Sequence, residues 1–279
     1  MKKVKCKIEP AAFGPPPSPF IPGRGRALAQ AGRAAIAAPT VWIPGLALLA
    51  LTVFFRMSNA DLTLAQWFYA GRGALVPWPL ATAQPWAALY RWGCYPGLIL
   101  GCGGLAVWLV SFGFRKLQRW RDAALFYALL LAVGPGLLVN VVCKPCWQRP
   151  RPHSTILFGG QHPFVRVLDR GPGHDDSSFP SGHAAMGFYL MAPAFVLYRK
   201  RRGLAAAFLL LGLAGGGLLG LARIVAGCHF ASDVLWSAGI VYFTGLVLAA
   251  ALRLGRQPPP GDPSPAAGIL VGRQGHGYD

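Results

Sequence analysis

The sequence predicts an all-α, polytopic membrane protein with six transmembrane helices, and three observations predict it. Hydrophobic residues make up 54% of the 279 residues and charged residues only 13%, about half the charged share of an ordinary soluble domain. The stretch from Ala123 to Cys143 carries no charge, and it is long enough to cross a hydrocarbon core of ~30 Å. The basic residues cluster between the apolar segments instead of scattering through them. The net charge of +18 and a pI near 10.4 would suit a nucleic-acid-binding protein. Long uncharged runs would make such a protein insoluble, so no nucleic-acid partner is expected. A disordered polycation is excluded because it would lack these apolar residues.

The apolar segments run over 40–55, 94–114, 123–143, 183–198, 203–222 and 233–252. The third, fifth and sixth are long and unbroken. The first and fourth are shorter and could be helices extended by flanking residues or buried helices of a soluble core; they read as membrane helices because they stand in line with the clear spans. The Gly215-Gly216-Gly217 run in the fifth predicts close approach of a neighbouring helix. Residues 40–254 thus read as one membrane domain. Residues 1–39, with Pro15-Pro16-Pro17 and scattered Arg, and residues 255–279, with Pro258-Pro259-Pro260, read as disordered tails.

Lys and Arg accumulate in cytoplasmic loops. Arg115, Lys116, Arg119 and Arg121 follow the second segment, and Arg199, Lys200, Arg201 and Arg202 follow the fourth. With those of the two tails they place 18 of the 27 cations on one face if the chain crosses six times. Both termini are therefore expected in the cytoplasm. The aromatic stretch between Asp61 and Trp92 (Trp67, Phe68, Tyr69, Trp78, Trp86, Tyr90, Trp92) is expected along the outer interface, as an ordinary aromatic belt, with a lipid-entry surface as the alternative.

The outer loops hold His153, His162, His174, His183 and His229, together with several Lys and Arg. Cations on the side that normally lacks them point to an anion. Three patterns carry this reading. Lys144 through Arg151-Pro152 is K-x6-R-P directly after the third segment. It offers a point charge and a bidentate fork for phosphate oxygens, or merely two side chains snorkelling to headgroups. Pro180-Ser181-Gly182-His183 opens the fourth segment. Backbone N–H groups there, with the Ser181 hydroxyl, would bind an anion, and a plain Ser181 N-cap is the bland alternative. Arg223, His229 and Asp233 form R-x5-H-x3-D before the sixth. His229 and Asp233 would share a helix face if that helix began by His229, and the carboxylate would then fix the imidazole tautomer.

In this combination the chain resembles the type 2 phosphatidic acid phosphatase (PAP2) superfamily of integral membrane lipid phosphatases, whose pattern is K-x6-R-P, P-S-G-H and S-R-x5-H-x3-D. The resemblance covers roughly residues 40–252 and departs at Ala222, where the family usually has Ser. It implies a six-helix fold with a metal-independent site on the outer face and no cofactor. His229 would attack phosphorus and become a phosphohistidine, Asp233 would orient it, and His183 would protonate the leaving oxygen and then activate water. Lys144, Arg151, Ser181, the Gly182 amide and Arg223 would hold the phosphoryl oxygens.

The implied partner is a lipid phosphate in the bilayer, of the lipid A, undecaprenyl diphosphate, phosphatidate or phosphatidylglycerol phosphate type. The loop from Phe158-Gly159-Gly160 to Phe179 loosely resembles that of lipid A phosphatases, which implies a bacterial inner membrane with the site facing the periplasm or exterior. A lipid phosphotransferase using the same phosphohistidine and, further off, an anion transporter are the alternatives. Cys143-x2-Cys146 lacks a second pair for zinc, and His174-Asp175-Asp176 lies in a Gly/Pro-rich loop, so no metal is expected. Cys146 and Cys228 flank different motifs, and an oxidising compartment would allow them to pair.

Overall fold

The computed structural model describes residues 39–172 and 176–254. The two tails beyond these limits, with their expected disorder, and His174 and Asp175 lie outside the described residues. Pro39, assigned above to the N-terminal tail, instead opens the first helix. Among the described residues, those from Pro44 to Leu254 belong to one compact unit, and Pro39–Ile43, the first turn of that helix, belong to another.

Ten α-helices are described: α1 (Pro39–Met57), α2 (Ala60–Gln66), α3 (Trp86–Trp92), α4 (Tyr95–Val110), α5 (Arg121–Leu131), α6 (Lys144–Trp147), α7 (Gly182–Phe188), α8 (Ala192–Leu197), α9 (Arg202–Val225) and α10 (Ala231–Ala251). Among the described residues there is no strand, only an isolated bridge between Thr155 and His162. Between α5 and α6 the chain continues as a π-helix, Ala132–Cys143, with Pro135 inside it. Proline has no N–H to give and crowds the carbonyl four residues back, so a wider i→i+5 turn suits it. The Asn140 side chain donates to the Pro135 carbonyl at 2.7 Å, which gives that oxygen a partner.

Among the described residues, five helical stretches are long and apolar enough to cross a membrane: Pro39–Met57, Trp86–Val110, Arg115–Ser154, Arg202–Val225 and Ala231–Ala251. The expected fourth span is a shorter apolar piece, Gly182–Leu197. It is broken by the 3₁₀ turn Tyr189–Met191 just before Pro193. Burial explains how so short a piece persists. Ala184, Ala185, Phe188, Tyr189, Met191 and Ala192 are all buried, packed with Phe126, Leu130, Val139 and Val241 into the main core. The outer helices turn apolar side chains outward, among them Leu49, Ile99, Leu210 and Val247, as expected where lipid is the solvent.

α9 carries α7 and α8 on one side, and glycine makes this possible. A Cβ on Gly216 would lie 2.2 Å from the Phe188 ring, and one on Gly212 would lie 2.5 Å from the backbone of Met191. The expected close approach along the glycine run is therefore real at Gly216. Gly217 faces open space. This packing sets the start of α7 against the end of α9, where the second and third motifs lie.

Candidate active site

His229 lies in the short turn between α9 and α10. α10 begins at Ala231, with Phe230 in extended conformation ahead of it (φ −85°, ψ 161°). His229 therefore precedes the helix and does not share its face with Asp233. The expected tautomer-fixing bond also goes elsewhere. His229 Nδ1 lies 2.6 Å from the carbonyl oxygen of Ser178 and 3.8 Å from Asp233 Oδ2. The first is a hydrogen bond and the second is too long for one. A carbonyl only accepts, so Nδ1 carries the proton and Nε2 keeps its lone pair.

Asp233 is engaged by other groups. Its Oδ2 accepts the Phe230 N–H at 2.8 Å, capping α10, and its Oδ1 pairs with Arg149 Nη1 at 2.6 Å. Arg149 is fully buried. It also pairs with Asp61 at 2.8 Å and donates to Ser232 Oγ at 2.8 Å and to the Val165 carbonyl at 2.9 Å. Its guanidinium lies 4.4 Å from the Phe230 ring centroid. Asp61 in turn accepts the Ser232 backbone N–H at 3.0 Å and the Ser232 hydroxyl at 2.5 Å. Each carboxylate therefore has charge and hydrogen bonds around it, the condition under which buried ions are tolerated. The Arg149 carbonyl accepts from Ser178 N–H at 2.7 Å. One residue thus supports both Asp233 and the peptide that holds His229.

Ser181 is fully buried and caps α7, its hydroxyl accepting from Ala184 N–H at 3.4 Å. The N-cap role is therefore real. Ser181 N–H donates to Ser237 Oγ at 2.9 Å, and the same oxygen lies 2.8 Å from the Asp233 carbonyl, so the second and third motifs are joined through Ser237. A Cβ on Gly182 would come within 3.0 Å of Asn140 Oδ1, so glycine keeps this approach open. His183 stacks on the Tyr90 ring at 5.1 Å, and Arg223 sits over the same ring at 4.4 Å. Lys144 opens α6. Gln148 ends that helix in the left-handed region (φ 46°), turning the chain toward Arg149 and Arg151.

The motif residues converge electrostatically. Charges on Arg223, His229 and Lys144 act on His183, and those on Arg151 and Arg223 act on Lys144. Arg223 is buried, with a buried Nε that has no protein partner. Arg151 pairs with the exposed Asp176 at 2.8 Å. Burial pushes the His229 imidazole below its ordinary pKa. Asp233 opposes the shift, and Arg151 and Arg223 add to it. A neutral imidazole with a free Nε2, beside a second imidazole and three cations, is an arrangement that can transfer a phosphoryl group.

Two expectations change. Cys146 and Cys228 are free thiols: Cys146 is exposed on α6, and Cys228 Sγ lies 3.5 Å from the Ala226 carbonyl, turned to its own backbone. The aromatic stretch is only partly a belt. Trp67 and Trp92 are exposed, but Trp78 is buried and Tyr90 is at the site. Sequence reasoning missed Asp61, Arg149, Ser178, Ser237 and Tyr90. Arg149 alone left a signal, as a second arginine within the first motif. Among the described residues no group of three or more His, Cys, Asp or Glu could hold a metal ion.

Comparison with known proteins adds an independent line. The PAP2 superfamily model matches residues 123–255. A lipid A 4'-phosphatase of Francisella tularensis subsp. novicida is 41% identical over 138 residues, 47% of this chain and 59% of that protein. A lipid A 4'-phosphatase of Rhizobium leguminosarum is 36% identical over 121 residues, 42% of this chain and 50% of that protein. One of Rhizobium etli is also 36% identical over 121 residues, 42% of this chain and 46% of that protein. The chain spans about half the length of these relatives. No solved structure matches.

Proposed function

We propose, from the match of residues 123–255 to the PAP2 superfamily model, that the chain is a member of that superfamily and hydrolyses a phosphomonoester or diphosphate on a membrane lipid of the lipid A type. The observation that carries the reading is the state of His229: buried, Nδ1–H committed to the Ser178 carbonyl, Nε2 lone pair available. Nε2 attacks phosphorus and the bond to the lipid oxygen breaks. His183 gives that oxygen a proton. The phosphoryl group then rides on His229 until His183, now neutral, takes a proton from water and the hydroxide displaces His229. Lys144, Arg151 and Arg223 neutralise the equatorial oxygens, with Ser181 and the Gly182 amide adding donors, so positioning and charge supply most of the catalysis. Asp233 acts on the electrostatics of the imidazolium and on the start of α10.

The basic clusters at Arg115–Arg121 and Arg199–Arg202 support a cytoplasmic placement of that side. The site then opens on the outer face of a bacterial inner membrane, with both termini inside. The test is phosphate release by purified protein in detergent against lipid A, undecaprenyl diphosphate, phosphatidate and phosphatidylglycerol phosphate, with and without EDTA. The expected result is release from lipid A at a rate that EDTA leaves unchanged. No release from any lipid phosphate by folded protein would remove the proposal. Transfer to a second lipid in place of water would make the chain a phosphotransferase.

A further inference from the structure

A cleft of about 400 Å³ opens beside the phosphate site, walled by Tyr69, Arg72, Trp78, His153, Phe158 and the backbone of Gly159 and Gly160. It is within the range of small-molecule sites, ~300–1,000 Å³, and larger than one tetrahedral anion needs. Its aromatic wall is fixed: Tyr69, Trp78 and Phe158 pack mutually at 5.2 to 5.5 Å between ring centroids. The Tyr69 hydroxyl is buried without a protein partner, a condition that calls for a polar ligand atom or water. Arg72 is tied by one nitrogen to the Ile156 carbonyl and keeps further donors in its fork. Cationic and hydroxyl groups on this wall make it a poor seat for an acyl chain. Donors set among aromatic rings suit a ring that carries hydroxyl groups.

Three contacts join the cleft to the phosphate site. The Asp176 carboxylate that pairs with Arg151 at 2.8 Å lies 3.9 Å from His153 Nε2. His153 N–H donates to the Gly227 carbonyl at 2.9 Å, two residues before His229. Trp78 lies against Gly227 so closely that a Cβ there would meet its ring at 2.3 Å, and the positive φ of Gly227 (66°) also calls for glycine. The cleft is thus one residue's width from the phosphate cations.

We propose that this cleft holds a sugar ring of the phosphorylated lipid headgroup, the phosphate reaching past His153 to Arg151. The proposal rests on the lipid phosphatase reading for the identity of the phosphate. It makes Tyr69 and Arg72 specificity-determining residues. Equilibrium binding of lipid A (a phosphorylated glycolipid) and of phosphatidate, which has no sugar, tests it in a sugar-free detergent. Arg72→Ala and the conservative Tyr69→Phe should each weaken lipid A binding, Arg72→Ala by about tenfold, and leave phosphatidate binding unchanged. Equal losses for both lipids, or none for lipid A in either variant, would overturn it. Phosphate release is read separately. Wild-type protein that binds lipid A through these residues yet releases no phosphate would keep the cleft and remove the phosphatase reading.

Discussion

His229 Nδ1 is 2.6 Å from the Ser178 carbonyl oxygen and 3.8 Å from the nearest carboxylate oxygen of Asp233. The orienting partner of the imidazole is therefore a peptide, and Asp233 acts from a distance while held by Arg149. This differs from a triad in which the carboxylate itself takes the imidazole N–H.

The first prediction concerns that ring. Nitrogen-15 NMR of histidine-labelled protein should find His229 in the Nδ1–H tautomer, with Nε2 unprotonated and a midpoint below the ordinary ~6.5. Burial is the main cause, with Arg151 and Arg223 adding to it. As the pH falls below the unfolded value, the unfolded chain takes up the proton before the native one does. This residue's contribution to stability is therefore present above that value and lost as pH falls through the native pKa. An Nε2–H tautomer would contradict the assignment.

Arg149 should be the most sensitive buried residue among those the three motif patterns leave unspecified. Arg149→Ala leaves Asp61 and Asp233 buried without their shared cation, and breaking such a pair costs ~3–5 kcal/mol. Denaturant unfolding in detergent should register this. Arg149→Lys should restore little, because one ammonium cannot span the two carboxylates, Ser232 and the Val165 carbonyl as a planar fork does. A loss below ~1 kcal/mol, the size of an exposed pair, would mean that the network contributes little.

Tyr90 should matter through its ring face and not its hydroxyl. Tyr90→Phe keeps the platform under His183 and Arg223, and kcat/KM should stay near wild type. Tyr90→Ala removes it, with an expected fall of about tenfold from the lost cation–π and stacking contacts. Equal effects of the two substitutions would argue against the platform.

Lys144→Ala or Arg151→Ala should each lower kcat by about a hundredfold, the usual loss for one donor to developing charge. Thermal unfolding of both variants should stay close to wild type, because Lys144 is half-buried and the Asp176 partner of Arg151 is exposed. A tenfold or smaller loss in both would move the phosphate elsewhere.

Much of this was legible in the sequence because it is local. An uncharged run such as Ala123–Cys143 announces a span, and Pro180-Ser181-Gly182-His183 announces a helix start with an imidazole on it. What was not legible depends on distance along the chain. Asp61 meets Arg149 across 88 positions and Ser232 across 171, and no periodicity links them. Tyr90 read as one more interfacial aromatic because its partners, His183 and Arg223, come from other helices. The i, i+4 spacing of His229 and Asp233 suggested a shared helix face. The chain instead starts the helix at Ala231, with Asp233 capping it. The fourth segment is apolar as a span is, but its length was not legible as sufficient: Gly182–Leu197 is shorter than the other helical stretches, and many of its apolar residues face protein.

The central claim is that the lipid phosphate passes through His229. Acid-sensitive, base-stable phosphoryl label should be trapped by rapid quenching of the protein with phosphorus-32 lipid A, and peptide mapping should place it on His229. Label should be absent from His229→Ala and should accumulate when His183→Ala blocks the water step. Label on another residue, or unimpaired phosphate release by folded His229→Ala protein, would contradict the claim.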